Sequence, residues 1–387
     1  MQTIIVKPDA EQKIHLLGEL AQLDCDGEPA LSNQQRQKRG FLNESIVQVQ
    51  RPDGPMTVLR TLQSSACEKN CRYCPFRAGR NRTPRVSFSP DELAGEFNKM
   101  QTGGVVKGLF LSSGIAGGGV QAMDKMLATV EILRRKHNYR GYVHLKIMPG
   151  SQRAQIEQAI RLADRISINL EGATAERLAF LAPQKNMRGD LLPAIHWMRQ
   201  IAREMPRQVK IPSLVTQFVV GPAGESDREI LTGVDWLYRN RALSRAYYSR
   251  FTPIANTPLE NAPPTPPIRE HRLYQADWLL RFYGFQLNEL PFDQNNALPA
   301  TADPKLIWAS QHLSEQPVEI NRAPRSRLLR VPGIGPKSAD AIVQARQQGR
   351  LKDLSALKKM GAVISRASSF ILLNGHRPPR QLRLPEI

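Results

Sequence analysis

The sequence has few cysteines, few aromatics and too little acid to balance its base. Four cysteines in 387 residues, three of them inside one short segment, exclude a disulfide framework spread through the fold. A reducing compartment is therefore expected. No apolar run approaches the ~20 residues that a spanning helix needs. GLFLSS at 108–113 and ILLN near the C-terminus are far too short. The opening MQTIIVKPDAEQK has no apolar h-region and no small-residue cleavage site, so a cytoplasmic chain without a membrane partner is expected. Only 35 Asp and Glu stand against 54 Lys and Arg, a net charge of +19. A metabolic enzyme needs no such excess. A protein that meets nucleic acid, a polyanionic cofactor or an anionic surface often has one. At 41% hydrophobic the chain is not disordered, and its length leaves room for one large domain and a smaller one.

The clustered cysteines carry the chemistry. Cys67-Glu-Lys-Asn-Cys71-Arg-Tyr-Cys74 is C-x3-C-x2-C. Structural zinc takes four ligands, usually as two pairs, and no second pair exists here. Three thiolates in one loop without a fourth suggest a [4Fe-4S] cluster with one iron left open. Cys25 has no partner nearby and reads as a small, partly buried hydrophobe. The motif resembles the signature of the radical S-adenosylmethionine (SAM) superfamily, in which the open iron binds the amine and carboxylate of SAM.

Strand and helix patterns alternate through the first two thirds. Strands are expected at Met56–Ser64, Gly108–Gly114, Tyr142–Met148, Arg165–Glu171, Thr216–Gly221 and Ala246–Thr252. Helices are expected at Pro90–Gln101, Ala122–His137, Gln152–Ala163, Leu191–Glu204 and Asp227–Asn240. Ser89 and Glu92 form a capping box for the first helix. Repeated β/α units argue for parallel strands with crossover helices. This resembles the (β/α)6 partial TIM barrel of radical SAM enzymes, an α/β fold, and loops at the carboxyl ends of such strands hold the chemistry.

Strand parity adds a site. In Arg165–Glu171 the apolar Ile166, Ile168 and Leu170 alternate with Ser167, Asn169 and Glu171. In Tyr142–Met148, Val143, Leu145 and Ile147 alternate with His144 and Lys146. A purely structural parallel sheet is apolar on both faces. His144, Lys146, Asn169 and Glu171 are therefore expected in the lumen, either as site residues or as internal salt-bridge partners.

The resemblance implies further cofactor contacts. Superfamily members carry Gly-Gly-Glu after the second strand to bind the SAM amine. Here Ser112-Ser113-Gly114 stands in that place, with no carboxylate, so hydroxyls and backbone carbonyls take the role. Asn169 and Glu171 fall where ribose hydroxyls bind. Gly221 to Glu225 matches the stretch that supports adenine, and Tyr73 falls near adenine. The resemblance also implies an electron donor such as flavodoxin or ferredoxin, and a 5′-deoxyadenosyl radical that takes hydrogen from the substrate.

The remainder is different in character. Residues 253–267 are proline-rich and read as a connector. Arg269–Gly284 reads as a helix with His271, Gln275, Trp278 and Phe282 on one face. It either packs on the barrel or borders the site through Arg269, Glu270 and His271. LLRVPGIGPKSADAIVQAR at 328–346 resembles a helix-hairpin-helix motif, with Gly333 and Gly335 in the turn and Lys337 in the following first turn. Such a turn presents amides to a phosphate. Leu351–Gly375 reads as a second, degenerate hairpin. Residues 322–387 alone carry a net +11. Arg77, Arg80, Arg82 and Arg85 form a further basic group, read as a polyanion-steering patch or a solvated loop.

The organisation expected is an N-terminal extension (1–50), the radical SAM barrel (51–265), a helical connector packed on it (266–320), a small all-α helix-hairpin-helix domain (321–376) and a basic tail (377–387). Taken together, the cysteine motif, REHRLYQADWLLRFYGF, Asp303-Pro304-Lys305…Trp308-Ala309 and LLRVPGIGPKSA resemble a family of DNA modification or repair radical SAM proteins with a C-terminal helix-hairpin-helix. The resemblance covers about residues 55–376. It departs at Leu23-Asp24-Cys25-Asp26, where the family has a tyrosine-aspartate-x-x-cysteine stretch. Three functions stay open: a radical SAM enzyme acting on nucleic acid, first of all DNA; one acting on a protein or small molecule with the hairpin domain as a docking module; and a non-catalytic iron–sulfur nucleic-acid-binding protein.

Overall fold

The computed structural model describes residues 8–21, 45–51, 54–80 and 82–378; Cys25, the Leu23–Asp26 stretch and 379–387 of the basic tail lie outside them. The chain divides into two compact units. One runs through Glu225 and includes Trp236–Thr265. The other joins Ser226–Asp235 to everything from Pro266 onward, so the stretch read as a connector, 266–320, belongs to the same unit as the hairpin region.

The first unit is a curled, mostly parallel sheet flanked by helices. Its elements are α1 (Ala10–Ala21), β1 (Ile46–Arg51), β2 (Gly54–Leu62), α2 (Pro90–Thr102), β3 (Gly108–Ser112), α3 (Gly118–Arg135), β4 (Tyr142–Lys146), α4 (Arg153–Leu162), β5 (Arg165–Ser167), α5 (Ala175–Leu181), α6 (Leu192–Glu204), β6 (Ser213–Val220), α7 (Asp227–Arg239, shared between the two units) and β7 (Arg245–Arg250). The seven strands lie side by side in sequence order. β2 to β7 are parallel neighbours, the partial barrel expected from the β/α repeats. β1 is an added antiparallel edge on β2, with Val47 opposite Val58. Its Val47 and Val49 pack with Met56, Val58 and Phe110.

Local chemistry explains several boundaries. α2 starts where Ser89 accepts from the Glu92 amide at 3.2 Å and Glu92 accepts from the Ser89 amide at 2.8 Å, the reciprocal capping box. Lys13 of α1 reaches the same carboxylate at 2.9 Å. β5 is shorter than the alternation suggests. Pairing continues beyond it, with the Glu171 amide donating to the Gln217 carbonyl at 2.9 Å, yet Glu171 itself takes φ +61°. A non-glycine residue in the left-handed region ends regular strand geometry. The Thr216 hydroxyl bridges the break, donating to the Ile168 carbonyl at 2.7 Å and accepting from the Leu170 amide at 3.2 Å.

The second unit contains α8 (Pro267–Phe282), α9 (Pro304–His312), β8 (Val318–Glu319), α10 (Arg325–Leu328), α11 (Pro336–Gln348), α12 (Leu354–Lys359), α13 (Ile364–Ala367) and β9 (Ile371–Leu372), with β8 and β9 paired parallel. Buried Asp227 is one of its anchors. It accepts from Arg269 at 2.7 Å and from the Leu298 amide at 2.8 Å. The short α10 and longer α11 flank the Gly333–Gly335 turn, and α12 and α13 follow as a second hairpin. Gly333 takes φ +82°, and a Cβ there would lie 2.4 Å from the Val363 carbonyl oxygen. Glycine is required for the first turn to seat against the second hairpin, where the Val363 amide donates to the Gly333 carbonyl at 2.9 Å.

Candidate active site

The carboxyl ends of the parallel strands open on a cavity of about 220 Å3. Cys67, Cys71 and Cys74 all line it, on the loop that leaves β2. The loop is held by the backbone: the Glu68 amide donates to the Ile115 carbonyl at 2.6 Å and the Ala78 amide to the Lys69 carbonyl at 2.8 Å. Gly114, after β3, also lines the cavity. A Cβ at this position would sit 2.3 Å from the Ala66 carbonyl oxygen, so only glycine lets the cysteine loop cross the end of β3. Ser113 lines the cavity beside it and donates to the Gly114 carbonyl at 2.6 Å. Ser112 is buried in β3 and is not part of the wall.

The basic group after the cysteines is a brace. Arg85 donates to the carbonyls of Ser65 and Phe76, each at 2.8 Å, and to those of Arg77 and Arg80. Arg77 donates to the Cys71 carbonyl at 3.2 Å, and Arg80 to the carbonyls of Pro75 and Ala255 at 3.2 and 3.0 Å. Beyond the steering patch or solvated loop expected from the sequence, these three guanidinium groups hold the backbone of the loop. Arg82 alone of the four is drawn to no loop carbonyl by the hydrogen bonds described, and it is exposed.

The opposite wall is polar and comes from successive strands. Lys146 follows from β4, Asn169 and Glu171 from beyond β5, Gln217 from β6 and Ser249 from β7. Asn169 donates to Gln217 at 3.2 Å, and Gln217 donates to Ser249 at 3.0 Å. The Asn169 Oδ1 atom is buried with no hydrogen-bond partner. Ile166, Ile168 and Leu170 are equally buried but stay out of the cavity wall, as alternation requires. His144 shares the parity of Lys146 but does not reach the cavity. It is buried and stacked on Phe110 at 4.2 Å between ring centroids. Burial, followed by the charges of Arg165 and Lys146, holds its pKa well below the usual histidine range.

Glu171 is the most constrained of these groups. Its carboxylate meets Lys185 at 2.8 Å, and both side chains are buried. Tyr73, which packs against Leu181, Val219 and Phe251, also hydrogen-bonds to Glu171. Burial pushes the Tyr73 phenol well up, and the Glu171 carboxylate and the Cys71 and Cys74 thiols push it further. Burial works against the Lys185 ammonium, but Glu171, Cys71 and Cys74 outweigh it and raise its pKa. Burial likewise raises the Cys71 thiol, with Lys185 opposing. Lys185 lines the cavity and was not anticipated: it lies between α5 and α6 with no motif around it.

Gly221 and Glu225 lie outside the cavity wall. The buried Glu225 carboxylate accepts from the Gly221 amide and closes the turn after β6. In the second unit, Gly333 and Gly335 line a separate cavity, and Lys337 is exposed in the first turn of α11.

The donor set fits an iron–sulfur cluster and SAM. Among the described residues no three His, Cys, Asp or Glu side chains gather closely enough to hold a single metal ion. Thiolates that each bind a different iron need no such convergence. Asn169 lines the cavity, and its orphaned Oδ1 is an acceptor that no protein group satisfies.

Residues 63–237 match the radical SAM superfamily, and residues 314–363 match a helix-hairpin-helix motif. The first of these regions is a radical SAM domain. More narrowly, the chain combines this domain with a helix-hairpin-helix motif in its second unit. Its similarity to solved structures is distant. Methylornithine synthase (PylB) is 16% identical with a TM-score of 0.45, over 57% of this chain and 60% of that one. The FeFe-hydrogenase maturase HydG from Carboxydothermus hydrogenoformans is 17% identical with a TM-score of 0.43, over 57% of this chain and 50% of that one. The chain thus spans about half to three fifths of the length of these structures. No curated protein matches it. No helix among the described residues is long and apolar enough to cross a membrane.

Proposed function

We propose that the protein is a [4Fe-4S]- and SAM-dependent radical enzyme that acts on a nucleic acid, first of all DNA, in a modification or repair reaction. The observation that carries the reading is the cavity itself. One wall holds the three thiols of C-x3-C-x2-C, the other holds polar side chains from β4 to β7, and all but the β7 residue lie within the radical SAM match. Cys67, Cys71 and Cys74 hold the cluster. The Ser113 hydroxyl and the backbone around Gly114 receive the SAM amine in place of the missing carboxylate. Asn169 and Glu171 receive ribose hydroxyls, with Glu171 held in place by Lys185. Tyr73 borders the adenine, and the Gly221–Glu225 turn supports that side from behind. When bound, the two groups supply a 5′-deoxyadenosyl radical that takes a hydrogen atom from a substrate carbon. The electron enters from a flavodoxin or ferredoxin.

The nucleic-acid part of the reading rests on the second unit. It combines a helix-hairpin-helix motif with a C-terminal stretch, residues 322–387, that carries a net +11. Gly333 and Gly335 shape the turn, and Lys337 adds a cation at the helix N-terminus. The test is made on anaerobically reconstituted protein reduced with dithionite in the presence of SAM. 5′-Deoxyadenosine is quantified by mass spectrometry with and without DNA. Formation that rises with DNA is expected. Formation indifferent to DNA and RNA contradicts the substrate, and none from protein holding a full cluster contradicts the enzyme.

A further inference from the structure

α8 buries Leu273, Ala276 and Leu279 in the ordinary way, yet its two faces are mixed. Its buried residues include Arg272 and Asp277, while Ile268, Trp278 and Phe282 are left exposed, Trp278 at 51%. A helix that serves only to pack on a core turns a polar face to water, without large aromatics on it. The inward charges are well satisfied. Arg272 donates to the Pro299 and Ala300 carbonyls at 3.2 and 2.8 Å, and Asp277 accepts from Arg281 at 2.7 Å. Trp278 and Phe282 are left outside this packing. Trp278 and Phe282 lie 4.6 Å apart between centroids, and the Arg281 guanidinium sits over both rings.

Trp278 forms part of a cavity of about 510 Å3 contained in the second unit. His271, Tyr274, Gln275 and Trp278 line it from α8, at the three- and four-residue spacing that shares one helix face. The hairpin turn Gly333–Gly335, Ser338 in the first turn of α11, and Arg366 also line it. Lys305 is buried there and donates to the Ile334 carbonyl at 2.7 Å, which fixes the turn against the cavity. One part of the lining is thus a flat aromatic surface. Another is a helix N-terminus with Arg366 beside it, paired to Asp303, which also lines the cavity. A nucleotide presents the matching pair, a π-face and a phosphate, and the volume lies in the range of small-molecule sites.

We infer that this cavity takes one unpaired nucleotide of a single-stranded nucleic acid, its base against Trp278 and its phosphate at the hairpin turn. The inference rests on the nucleic-acid reading above and narrows it from backbone contact to a single strand. A base still paired in a duplex cannot offer its face to Trp278 without leaving the stack. Stacking on an aromatic side chain contributes about 1–3 kcal/mol per base and tolerates any base, so the cavity supplies strand selectivity rather than sequence selectivity.

The test uses the full chain and short oligonucleotides of one sequence, as single-stranded DNA, single-stranded RNA and DNA duplex, with 2-aminopurine as the reporter base. Wild-type protein is expected to bind a single strand, DNA or RNA, more tightly than the duplex and to quench the reporter. Trp278→Ala is expected to weaken single-strand binding by about 10- to 100-fold and abolish quenching, with duplex affinity moved less than about twofold. Trp278→Phe should retain most of both. Circular dichroism melting verifies that the variants fold, which the exposure of Trp278 favours. Single-strand binding and quenching unchanged in Trp278→Ala would overturn the inference and leave the nucleic-acid reading intact. No binding of any of the three nucleic acids by wild-type protein would overturn both.

Discussion

The Lys185 ammonium lies 2.8 Å from the Glu171 carboxylate, both are buried, and both face the cavity that holds the three clustered cysteines. Glu171 holds this position with a left-handed backbone, φ +61°. A strained conformation at a polar cavity is maintained by its surroundings, here Lys185 and Tyr73. Lys185 is a positioning residue: it fixes the carboxylate that the proposed function places on the ribose.

Removing one partner should therefore cost more than removing both. Lys185→Met is expected to destabilise the protein by about 3–5 kcal/mol, because it leaves a buried carboxylate without its cation. Lys185→Met combined with Glu171→Gln should recover a large part of that loss. Chemical denaturation of the two singles and the double gives the coupling. Additive losses would show that the pair is not an energetic unit.

Asn169 offers a cleaner probe of the cofactor. Its buried Oδ1 has no protein partner, so Asn169→Ala removes an acceptor that no protein group uses, together with the donor to Gln217. SAM affinity should fall about tenfold, the effect of ~1.4 kcal/mol for one hydrogen bond. Iron content and visible absorbance of the cluster should stay at wild-type values. Equilibrium dialysis with SAM measures the first; unchanged affinity would remove Asn169 from the site.

Gly114→Ala is expected to act on the cluster rather than on the fold. The new methyl group meets the Ala66 carbonyl oxygen at 2.3 Å, next to Cys67. The cysteine loop must shift, at a cost of about 1–3 kcal/mol. Iron incorporation should fall well below that of wild type while the far-ultraviolet circular dichroism is retained. Full iron loading would show that the loop absorbs the methyl.

Lys305 predicts a pH dependence in the second unit. Burial first, then the charges of Arg366 and Arg330, pull its pKa down to about 7, with Asp303 opposing. In the unfolded chain a lysine titrates near ~10.4. Between these two values the unfolded chain binds a proton that the folded chain does not, so this group makes stability rise with pH across that window and adds no slope below it. Lys305→Met should remove a slope of about 1.4 kcal/mol per pH unit, seen in denaturation curves taken between neutral and alkaline pH. Identical slopes in both proteins would show that the folded amine stays charged.

Much of this was legible in the sequence because periodic patterns survive folding. The β/α units, the capping box of Ser89 and Glu92 and the polar lumen of Lys146, Asn169 and Glu171 all follow from local spacing. β1 also had its signal, the alternation in Ile-Val-Gln-Val-Gln at 46–50, which the parallel-strand pattern overshadowed. Other features have no local signature. Whether Arg77, Arg80 and Arg85 face water or brace carbonyls depends on how the loop closes over them. Lys185 is a single lysine in a connecting segment, and only the fold brings it to Glu171. His144 has the parity of a lumen residue, but its place two residues before Lys146 puts it on Phe110 instead of in the cavity. Parity assigns a face, while depth along the strand decides which residues on that face reach the site.

The central claim is that Cys67, Cys71 and Cys74 hold a cluster with an iron open to SAM. It is tested most directly by electron paramagnetic resonance of the anaerobically reconstituted, dithionite-reduced protein, with and without SAM, beside the triple variant Cys67→Ala, Cys71→Ala, Cys74→Ala. The prediction is a single reduced-cluster signal in wild-type protein that changes when SAM is added, and no cluster signal in the variant. A cluster that persists in the triple variant, or a wild-type signal that SAM leaves unmoved, would contradict it.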